Sequence, residues 1–273
     1  MDILFVGTGA ADYEAGLTCP CANCLNARTL GGRNLRTYSS VLIDDSLLVD
    51  CGRTVPWRMA ELDVEISGIR AVLITHSHAD HLDADALARI AAVSSGDAPP
   101  VVYGNDLVAD TLLQAGSKHP VRVVQPGQRL TVGDHEVLVL PATHDWVNQQ
   151  SLNYVISRGD AAVLYATDTA WPSDEWWALL DDRCLSCAIV EATFGPLDED
   201  GHPDCLSHHL NTDSAGRLIA QLRERGILPR KAPAFATHLS LHWLPPHDRY
   251  AAQVNCPTCE LAYDGLRLNL SSP

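Results

Sequence analysis

The chain has 273 residues, 46% of them hydrophobic, and a formal net charge of −15 because 34 acidic side chains outnumber 19 lysines and arginines. This length is sufficient to bury the core of one large domain, and we expect residues 1–273 to form a single domain. The acidic balance argues against a protein that wraps extended nucleic acid, since Lys and Arg are the residues that neutralise phosphates.

The N-terminal stretch MDILFVGTGAAD contains neither a basic segment nor a long apolar run. Nowhere in the chain do the roughly 18 apolar residues that a membrane helix needs occur together. We therefore expect no signal peptide, no membrane span and no membrane partner, and we predict a cytoplasmic location.

Short apolar or β-branched runs and amphipathic stretches follow one another along the chain and predict both strands and helices. The helix predicted at 212–226 has start and stop signals in its sequence, with Asn211 or Thr212 as the N-cap and Gly226 at its C-terminal end. Helices between strands in both halves indicate a layered α/β fold. In chain order, we predict strands at 3–7, 39–44, 46–52 and 71–76, a helix at 83–93, a strand at 100–104, a helix at 106–115, strands within 129–144, 151–169 and 187–193, a helix at 212–226, a strand at 232–238, a helix at 245–254 and a strand at 266–270.

The nine cysteines do not indicate a disulfide framework, because the cytosol keeps thiols reduced. Metal binding and simple burial remain as explanations. Free cysteine is among the most buried residue types. We expect burial for the four cysteines in or near apolar segments, which are Cys51, Cys184, Cys187 and Cys205.

The segment THSHADH, residues 75–81, follows an apolar strand and precedes a helix, so its side chains lie on a loop at a strand end. His76 and His78 are two positions apart, whereas Asp80 and His81 are adjacent. A tightly turning loop can direct the first pair at one metal ion and the second pair at another, and two such ions stand about 3.5 to 4 Å apart in binuclear sites.

The alternative is a solvated polar loop with Asp83 as the N-cap of the following helix, but HxHxDH is far more specific than an isolated pair of histidines. Four ligands do not complete two coordination spheres, so further ligands are needed at other strand ends. His144, Asp168 and His238 each follow an apolar run, as His76 does. Any one of them alone would more often be structural.

HxHxDH followed by a His, an Asp and a His at strand ends resembles the metallo-β-lactamase superfamily, and the resemblance extends from FVGTGAAD to AYDGLRL. It implies a four-layer αββα sandwich with the metals at one edge between the sheets. It further implies that His76, His78 and His144 bind one metal and that Asp80, His81 and His238 bind the other. Asp168 would bridge the two metals, and Asp50 would support the metal ligands without binding a metal itself.

Two bridged divalent cations lower the pKa of water and bind a phosphoryl or carbonyl oxygen, which indicates hydrolysis. In SHHLNT, His209 precedes a helix, where several family members that cleave phosphodiesters place a His that holds the phosphate and protonates the leaving oxygen. His208 is a near-equal alternative, and either can be an ordinary polar residue at a helix start. The catalytic candidates are Asp80, His209 and His208.

LTCPCANC contains Cys19, Cys21 and Cys24 in CxCxxC spacing, which supplies three of the four ligands of a tetrahedral zinc. A cysteine knuckle in this place resembles the carbon-phosphorus lyase accessory phosphodiesterases, which hydrolyse small cyclic phosphodiesters. In those enzymes a His shortly after the last active-site His completes the structural zinc site.

This sequence departs from that pattern, because Leu241 stands three positions after His238 and the nearest imidazole is His242. Cys256 and Cys259 form a competing CxxC pair. We favour His242, because the strand end that carries His238 also carries its neighbours.

The sequence therefore predicts a binuclear metal-dependent phosphodiesterase that acts on a small cyclic or nucleotide-like phosphodiester, with two divalent ions (Zn or Mn) and one structural Zn. Extended nucleic acid is not an expected partner, and the oligomeric state stays open, with a homodimer as one candidate.

A ribonuclease Z-like nuclease would need a basic exosite or arm. A thioester, lactone or β-lactam hydrolase uses the same metals on a carbonyl carbon, although Asp80 and Asp168 argue against a true β-lactamase. A metal site for structure or sensing alone is the non-catalytic alternative.

Overall fold

The computed structural model of the chain describes residues 1–94, 98–145, 147–195, 207–249 and 259–270. None of the helices in these ranges combines the length and the apolar character that a bilayer crossing requires. In chain order the elements are β1 (Asp2–Gly7), α1 (Tyr13–Gly16), α2 (Ala22–Leu30), β2 (Ser40–Ile43), β3 (Leu47–Val49), α3 (Val55–Glu61), β4 (Ala71–Leu73), α4 (Ala84–Val93), β5 (Val101–Gly104), α5 (Asp106–Gln114), β6 (Val121–Val123), β7 (Arg129–Val132), β8 (His135–Pro141), β9 (Leu152–Arg158), β10 (Ala161–Ala166), α6 (Asp174–Leu180), β11 (Cys187–Glu191), α7 (Thr212–Glu224), β12 (Ala234–Thr237), β13 (Glu260–Leu261) and β14 (Arg267–Asn269), with 3₁₀ turns at Gly32–Asn34 and Ile66–Gly68.

The strands form two seven-stranded sheets. The first has the order β14-β1-β2-β3-β4-β5-β6, and the second has the order β13-β12-β11-β10-β9-β8-β7. Pairing is parallel from β3 to β6 and from β10 to β13, and it is antiparallel elsewhere. Each sheet thus combines a parallel half, whose strands end at one edge, with an antiparallel half.

A shared apolar core joins the inner faces of the two sheets, and it includes Phe5 from the first and Tyr154 from the second. Phe5 and Phe235 meet across it with ring centroids 5.5 Å apart. The outer face of the first sheet packs against α3, α4 and α5, and the outer face of the second packs against α6 and α7. The four-layer αββα sandwich is therefore confirmed.

Helix α7 begins as its sequence predicts. The side chain of Asn211 accepts a hydrogen bond from the backbone N–H of Ser214, and the Ser214 hydroxyl lies 2.9 Å from the Asn211 backbone N–H, which donates to it. This reciprocal pair satisfies two of the N–H groups that a helix start leaves open. Gly226 follows the helix with φ +74°, the left-handed conformation that glycine adopts at helix ends.

Several elements were not predicted from the sequence, because they are short or begin at residues with weak helical signals. Helix α2 starts after Cys21, whose sulfur accepts the Cys24 backbone N–H as a cap. Helices α3 and α6 span only seven residues each. The second half of the predicted helix at 245–254, residues 250–254, lies outside the described residues.

The prediction that Cys184 is buried is wrong. Cys51 and Cys187 are buried as expected, but Cys184 is exposed, because it lies in the turn between α6 and β11, and the strand that buries its neighbour begins only at Cys187. Cys205 lies outside the described residues.

Candidate metal centre

The site lies where several strands end together. Strands β3 and β4 run parallel in one sheet, and β10, β11 and β12 run parallel in the other. Strand β8 is antiparallel to β9, which is antiparallel to β10, so β8 points the same way as β10. The segments that follow these six strands therefore meet at one edge of the sandwich, which is where ligand sites form in sheets of this kind.

Three residues at this edge that lie within two positions of a strand end have left-handed backbone conformations. Asp50, Asp168 and His238 have φ angles of 60°, 48° and 54°. Non-glycine residues adopt this region at a cost, and such strain concentrates at functional sites. Each of the three follows a strand by one or two residues, so the left-handed turn redirects its side chain from the sheet toward the site.

The first candidate ligand group consists of His76, His78 and His144. His76 Nε2 lies 2.8 Å from His78 Nδ1, and His144 Nε2 lies 3.3 Å from the same atom. Burial lowers the pKa of His76 and of His144, which keeps these imidazoles neutral and their lone pairs available.

The second candidate ligand group consists of Asp80, His81 and His238. His81 Nε2 lies 3.2 Å from Asp80 Oδ2 and 3.3 Å from His238 Nε2, and His238 Nε2 lies 3.5 Å from Asp80 Oδ2. All three residues are buried.

Asp168 stands between the two groups. Its Oδ2 atom lies 2.9 Å from His81 Nε2 and 3.2 Å from His238 Nε2, whereas its Oδ1 atom lies 3.8 Å from His144 Nε2. Oδ2 is buried and makes no hydrogen bond of acceptable geometry. One carboxylate thus offers one oxygen to each ligand group, as a bridging ligand does.

The second nitrogen of every ligand imidazole faces an oxygen atom, as metal-binding histidines usually require. In four of the five rings this nitrogen is Nδ1, which leaves Nε2 for the metal, and in His78 the roles are reversed. The contacts are His76 Nδ1 to Thr75 Oγ1 (3.0 Å), His78 Nε2 to Asp145 Oδ2 (3.2 Å), His81 Nδ1 to Asp50 Oδ2 (2.8 Å), His144 Nδ1 to the His208 carbonyl (3.0 Å) and His238 Nδ1 to Thr193 Oγ1 (2.8 Å).

Because of these contacts, a positive charge stabilises the site. With Nδ1 of His81 donating to Asp50, its Nε2 presents a lone pair to the Asp168 carboxylate, so two acceptors face each other at 2.9 Å. Only a cation or an added proton stabilises that approach. Burial opposes protonation of His81, yet Asp168, Asp80 and Asp50 together raise its pKa well above the ordinary value.

The donor set and its spacing fit divalent metal ions. Nitrogen and oxygen ligands about 2.0 to 2.1 Å from a tetrahedral zinc stand roughly 3.3 Å from one another. Both groups contain distances of that size between atoms that point at a common centre. Mixed imidazole and carboxylate ligands also suit other divalent ions.

The loop after β3 holds the ligand loop in place. The Cys51 backbone N–H donates to the His81 carbonyl at 2.8 Å, and the Asp83 N–H donates to the Cys51 carbonyl at 2.9 Å. A Cβ atom at Gly52 would lie 2.1 Å from the Asp80 carbonyl oxygen. Only glycine permits this approach, so the two loops fit together as backbone against backbone.

His209 and His208 lie at the same edge but differ in what they contact. The His209 ring stacks on His238 with centroids 5.6 Å apart, and its Nδ1 lies 3.1 Å from Glu191 Oε2. Burial disfavours the charged ring, but Glu191 outweighs it and raises the pKa of His209 to about 9. His208 reaches the site through its backbone carbonyl, which accepts from His144.

The role of Glu191 was not predicted from the sequence. Glu191 is the last residue of the apolar strand CAIVE, and the candidate ligands likewise lie at or just after strand ends. It is fully buried, and its carboxylate accepts hydrogen bonds from the Thr193 hydroxyl, the Thr169 N–H and the Leu210 N–H as well as facing His209. Glu191 therefore ties the loops after β10 and β11 to the segment before α7.

The three knuckle cysteines converge on His242. Its Nδ1 atom lies 3.4, 3.5 and 3.9 Å from the Sγ atoms of Cys19, Cys21 and Cys24. Burial and the neighbouring thiols raise the pKa of Cys24 to about 12, so the thiolate needs a cation to form. Cys259 packs against the core between the second sheet and its helices, and Cys256 lies outside the described residues.

Comparison with known proteins points to one family. A model of the β-lactamase superfamily domain matches residues 45–231. A diphosphatase of the PhnP family has a solved structure that superposes with a TM-score of 0.74 at 21% identity, over 98% of this chain and 96% of that one. At this identity, the structural match shows the shared fold.

Two curated proteins match in sequence over shorter stretches. A ribonuclease Z from Methanopyrus kandleri is 32% identical over 115 residues, which is 40% of this chain and 41% of that protein. The anti-Pycsar protein Apyc1 of Paenibacillus xerothermodurans is 58% identical over 36 residues, which is 13% of this chain and 14% of that protein. The matched stretches thus span well under half of either relative.

Asp50→Asn tests whether the buried carboxylate behind His81 supports metal binding. We expect roughly 10- to 100-fold weaker affinity for the second ion, because an outer carboxylate orients its ligand and raises its basicity. Competition with a chromogenic chelator measures this affinity. Asp44→Asn is the matched control, since Asp44 Oδ2 lies 2.9 Å from His135 Nε2 in a partly buried carboxylate–imidazole pair. Equal metal affinity in the two variants would contradict the assignment.

Proposed function

The chain belongs to the metallo-β-lactamase superfamily of hydrolases, and on that basis we propose that it hydrolyses a small cyclic or nucleotide-like phosphodiester at a site for two divalent metal ions. The observation that carries the proposal is the position of Asp168, whose two oxygens face separate ligand groups. Zinc and manganese are the proposed ions, with His76, His78 and His144 as ligands of one and Asp80, His81 and His238 as ligands of the other.

Bound divalent ions supply Lewis acidity toward a phosphoryl oxygen and a water nucleophile at neutral pH. The protein orients the donors that hold them. Thr75, Asp50 and Thr193 fix the ring orientations of His76, His81 and His238 through the contacts at Nδ1. His76, His81 and His238 are buried, which strengthens the electrostatic interactions that they make.

We assign His209 as the residue that protonates the leaving oxygen. Its ring lines the cavity beside the ligand residues, and Glu191 holds Nδ1, so Nε2 is the nitrogen left to face a substrate. A carboxylate at Nδ1 also favours the charged ring, which is the form that donates a proton. His208 contributes its carbonyl to His144 and is not assigned this role.

Ribonuclease Z-like RNA processing is the second candidate, because the sequence match to a ribonuclease Z supports it. The net charge of −15 argues against an extended RNA-binding surface. Cleavage of a precursor tRNA at rates exceeding those for cyclic nucleotides would favour this candidate over ours.

We further propose a structural zinc bound by Cys19, Cys21, Cys24 and His242. Their spacing supports it, because a zinc–sulfur bond of about 2.3 Å puts tetrahedral ligands roughly 3.6 to 3.8 Å apart, near the distances from His242 Nδ1 to the three sulfurs. Such a site contributes folding free energy directly.

Asp80→Ala tests the two-metal hydrolase. We expect turnover of bis-p-nitrophenyl phosphate to fall by several orders of magnitude, because the variant removes a ligand of one ion and leaves the sheets intact. Asp83→Asn is the control, since Asp83 caps α4 in the same loop and asparagine preserves a cap. Near-normal turnover by Asp80→Ala at limiting metal would contradict the assignment.

His209→Ala tests the proton donor. We expect at least roughly 100-fold slower hydrolysis of alkyl cyclic phosphodiesters and a far smaller loss on aryl esters, because only a poor leaving group needs the proton. Steady-state kinetics on both substrate types measures the difference. Equal losses would remove His209 from this role, and the same selectivity in His208→Ala would transfer the role to His208.

Metal counting tests the knuckle. His242→Ala and Cys24→Ser should each lose one zinc equivalent and some stability toward urea, because each opens the coordination sphere. Cys184→Ser is the control, as this cysteine is exposed and remote in sequence from the knuckle. If only a Cys256/Cys259 double serine variant loses the zinc, the knuckle closes on those residues instead.

A further inference from the structure

A cavity of about 290 Å³ opens onto the candidate metal centre, and part of its lining consists of residues that are not proposed as metal ligands. Metal ligands and His209 form one part. The remainder consists of small residues near the N-terminus, polar side chains and two aromatic rings, namely Ala10, Ala11, Asp12, Thr193, Phe194, Ser240 and Trp243. A volume near the lower end of small-molecule sites suits a mononucleotide-sized ligand.

The two aromatic rings extend in a row from the proposed proton donor. The Phe194 ring lies 5.8 Å from the His209 ring and 6.1 Å from the Trp243 ring, centroid to centroid. Phe194 and Trp243 meet at 70°, so they form a corner rather than a parallel stack. Trp243 is 44% exposed, a large fraction for an indole that borders a cavity.

Trp243 is held in place by the loop that also carries a metal ligand and a knuckle ligand. Its backbone N–H donates to Ser240 Oγ at 3.1 Å, and Asp12 Oδ2 accepts from the Ser240 hydroxyl at 2.6 Å and from the His242 N–H at 3.0 Å. His238, Ser240, His242 and Trp243 thus lie within six consecutive residues. The backbone that carries the indole is thereby held in place, which reduces the entropy lost on binding a ligand.

The charges of the lining residues indicate which kind of ligand group binds beside Phe194 and Trp243. Of the described residues that line the cavity, none is Lys or Arg, and Asp12 adds a carboxylate. Beyond the proposed metal ions and His209, the described part of the lining therefore offers no positive charge for a further phosphate. An uncharged planar group satisfies both the apolar corner and this lack of cations.

We propose that Phe194 and Trp243 form a stacking subsite for the nucleobase, or an equivalent planar aromatic group, of the phosphodiester substrate. This inference rests on the proposed phosphodiesterase function and makes Trp243 a specificity-determining residue. Stacking on aromatic side chains does not require a particular base, because every base has a π-face. The subsite accordingly favours nucleotide-like substrates over base-free sugar phosphates and over substrates with additional phosphate groups.

Two cyclic substrates test the subsite on metal-loaded protein: adenosine 2′,3′-cyclic phosphate, and the same ribose cyclic phosphate with a methoxy group in place of adenine. Trp243→Ala should raise KM for the adenine substrate roughly 5- to 100-fold, the range that follows from alanine substitution at base-stacking residues. It should leave kcat and the constants of the base-free substrate nearly unchanged. Trp243→Phe should restore most of the lost affinity, and Phe194→Leu should shift KM in the same direction.

Trp57→Ala is the matched control, because Trp57 is 54% exposed on α3 and does not line the cavity. Equal effects of Trp243→Ala on both substrates, or no effect on either, would overturn the subsite.

A separate measurement distinguishes failure of the subsite from failure of the proposed function. If the wild-type protein hydrolyses neither substrate, calorimetric titration with adenosine 5′-monophosphate replaces the kinetics. Weaker binding to Trp243→Ala than to wild type would then support the subsite although the phosphodiesterase proposal had failed. Equal binding would overturn the subsite as well.

Discussion

Many polar side chains are buried together at one edge of the sandwich, where water cannot solvate their charges and lone pairs. Asp50, Asp80 and Asp168 lie within a few ångströms of buried imidazoles. Buried carboxylates and lone pairs are costly unless they are paired or coordinate a metal. The pKa of His81 rises well above its usual value because three carboxylates surround a ring that burial alone would keep neutral. The same demand for positive charge suits the site to divalent cations.

The ends of separate strands in both sheets bring these ligands to one edge, and contacts between the loops fix the positions of the ligands. Glycine at position 52 lets one loop press against the Asp80 carbonyl, and Glu191 connects the loops of the second sheet through one carboxylate. The segment from His238 to Trp243 joins the metal centre, the cysteine knuckle and the cavity wall. A zinc in the knuckle would therefore also stabilise the shape of the cavity, although it lies outside the cavity lining.

Much of this arrangement could be predicted from the sequence, because the ligands obey one local rule. Each follows a short apolar strand, and HxHxDH supplies four donors in a single loop. Glu191 obeys the same rule but was missed, since a lone Glu after a strand carries no motif, and its role depends on hydrogen bonds to residues distant in sequence. Helix α2 was missed because its cap is a cysteine sulfur. Cys184 was placed in the core because an apolar run follows it, yet only the strand from Cys187 onward enters the sheet.

Anomalous diffraction near the zinc absorption edge, on crystals of the zinc-loaded protein, locates the bound ions directly. We expect two strong peaks on either side of Asp168, one among His76, His78 and His144 and the other among Asp80, His81 and His238. A single peak at this edge of the sandwich, or none while the knuckle is occupied, would contradict a site built for two metal ions.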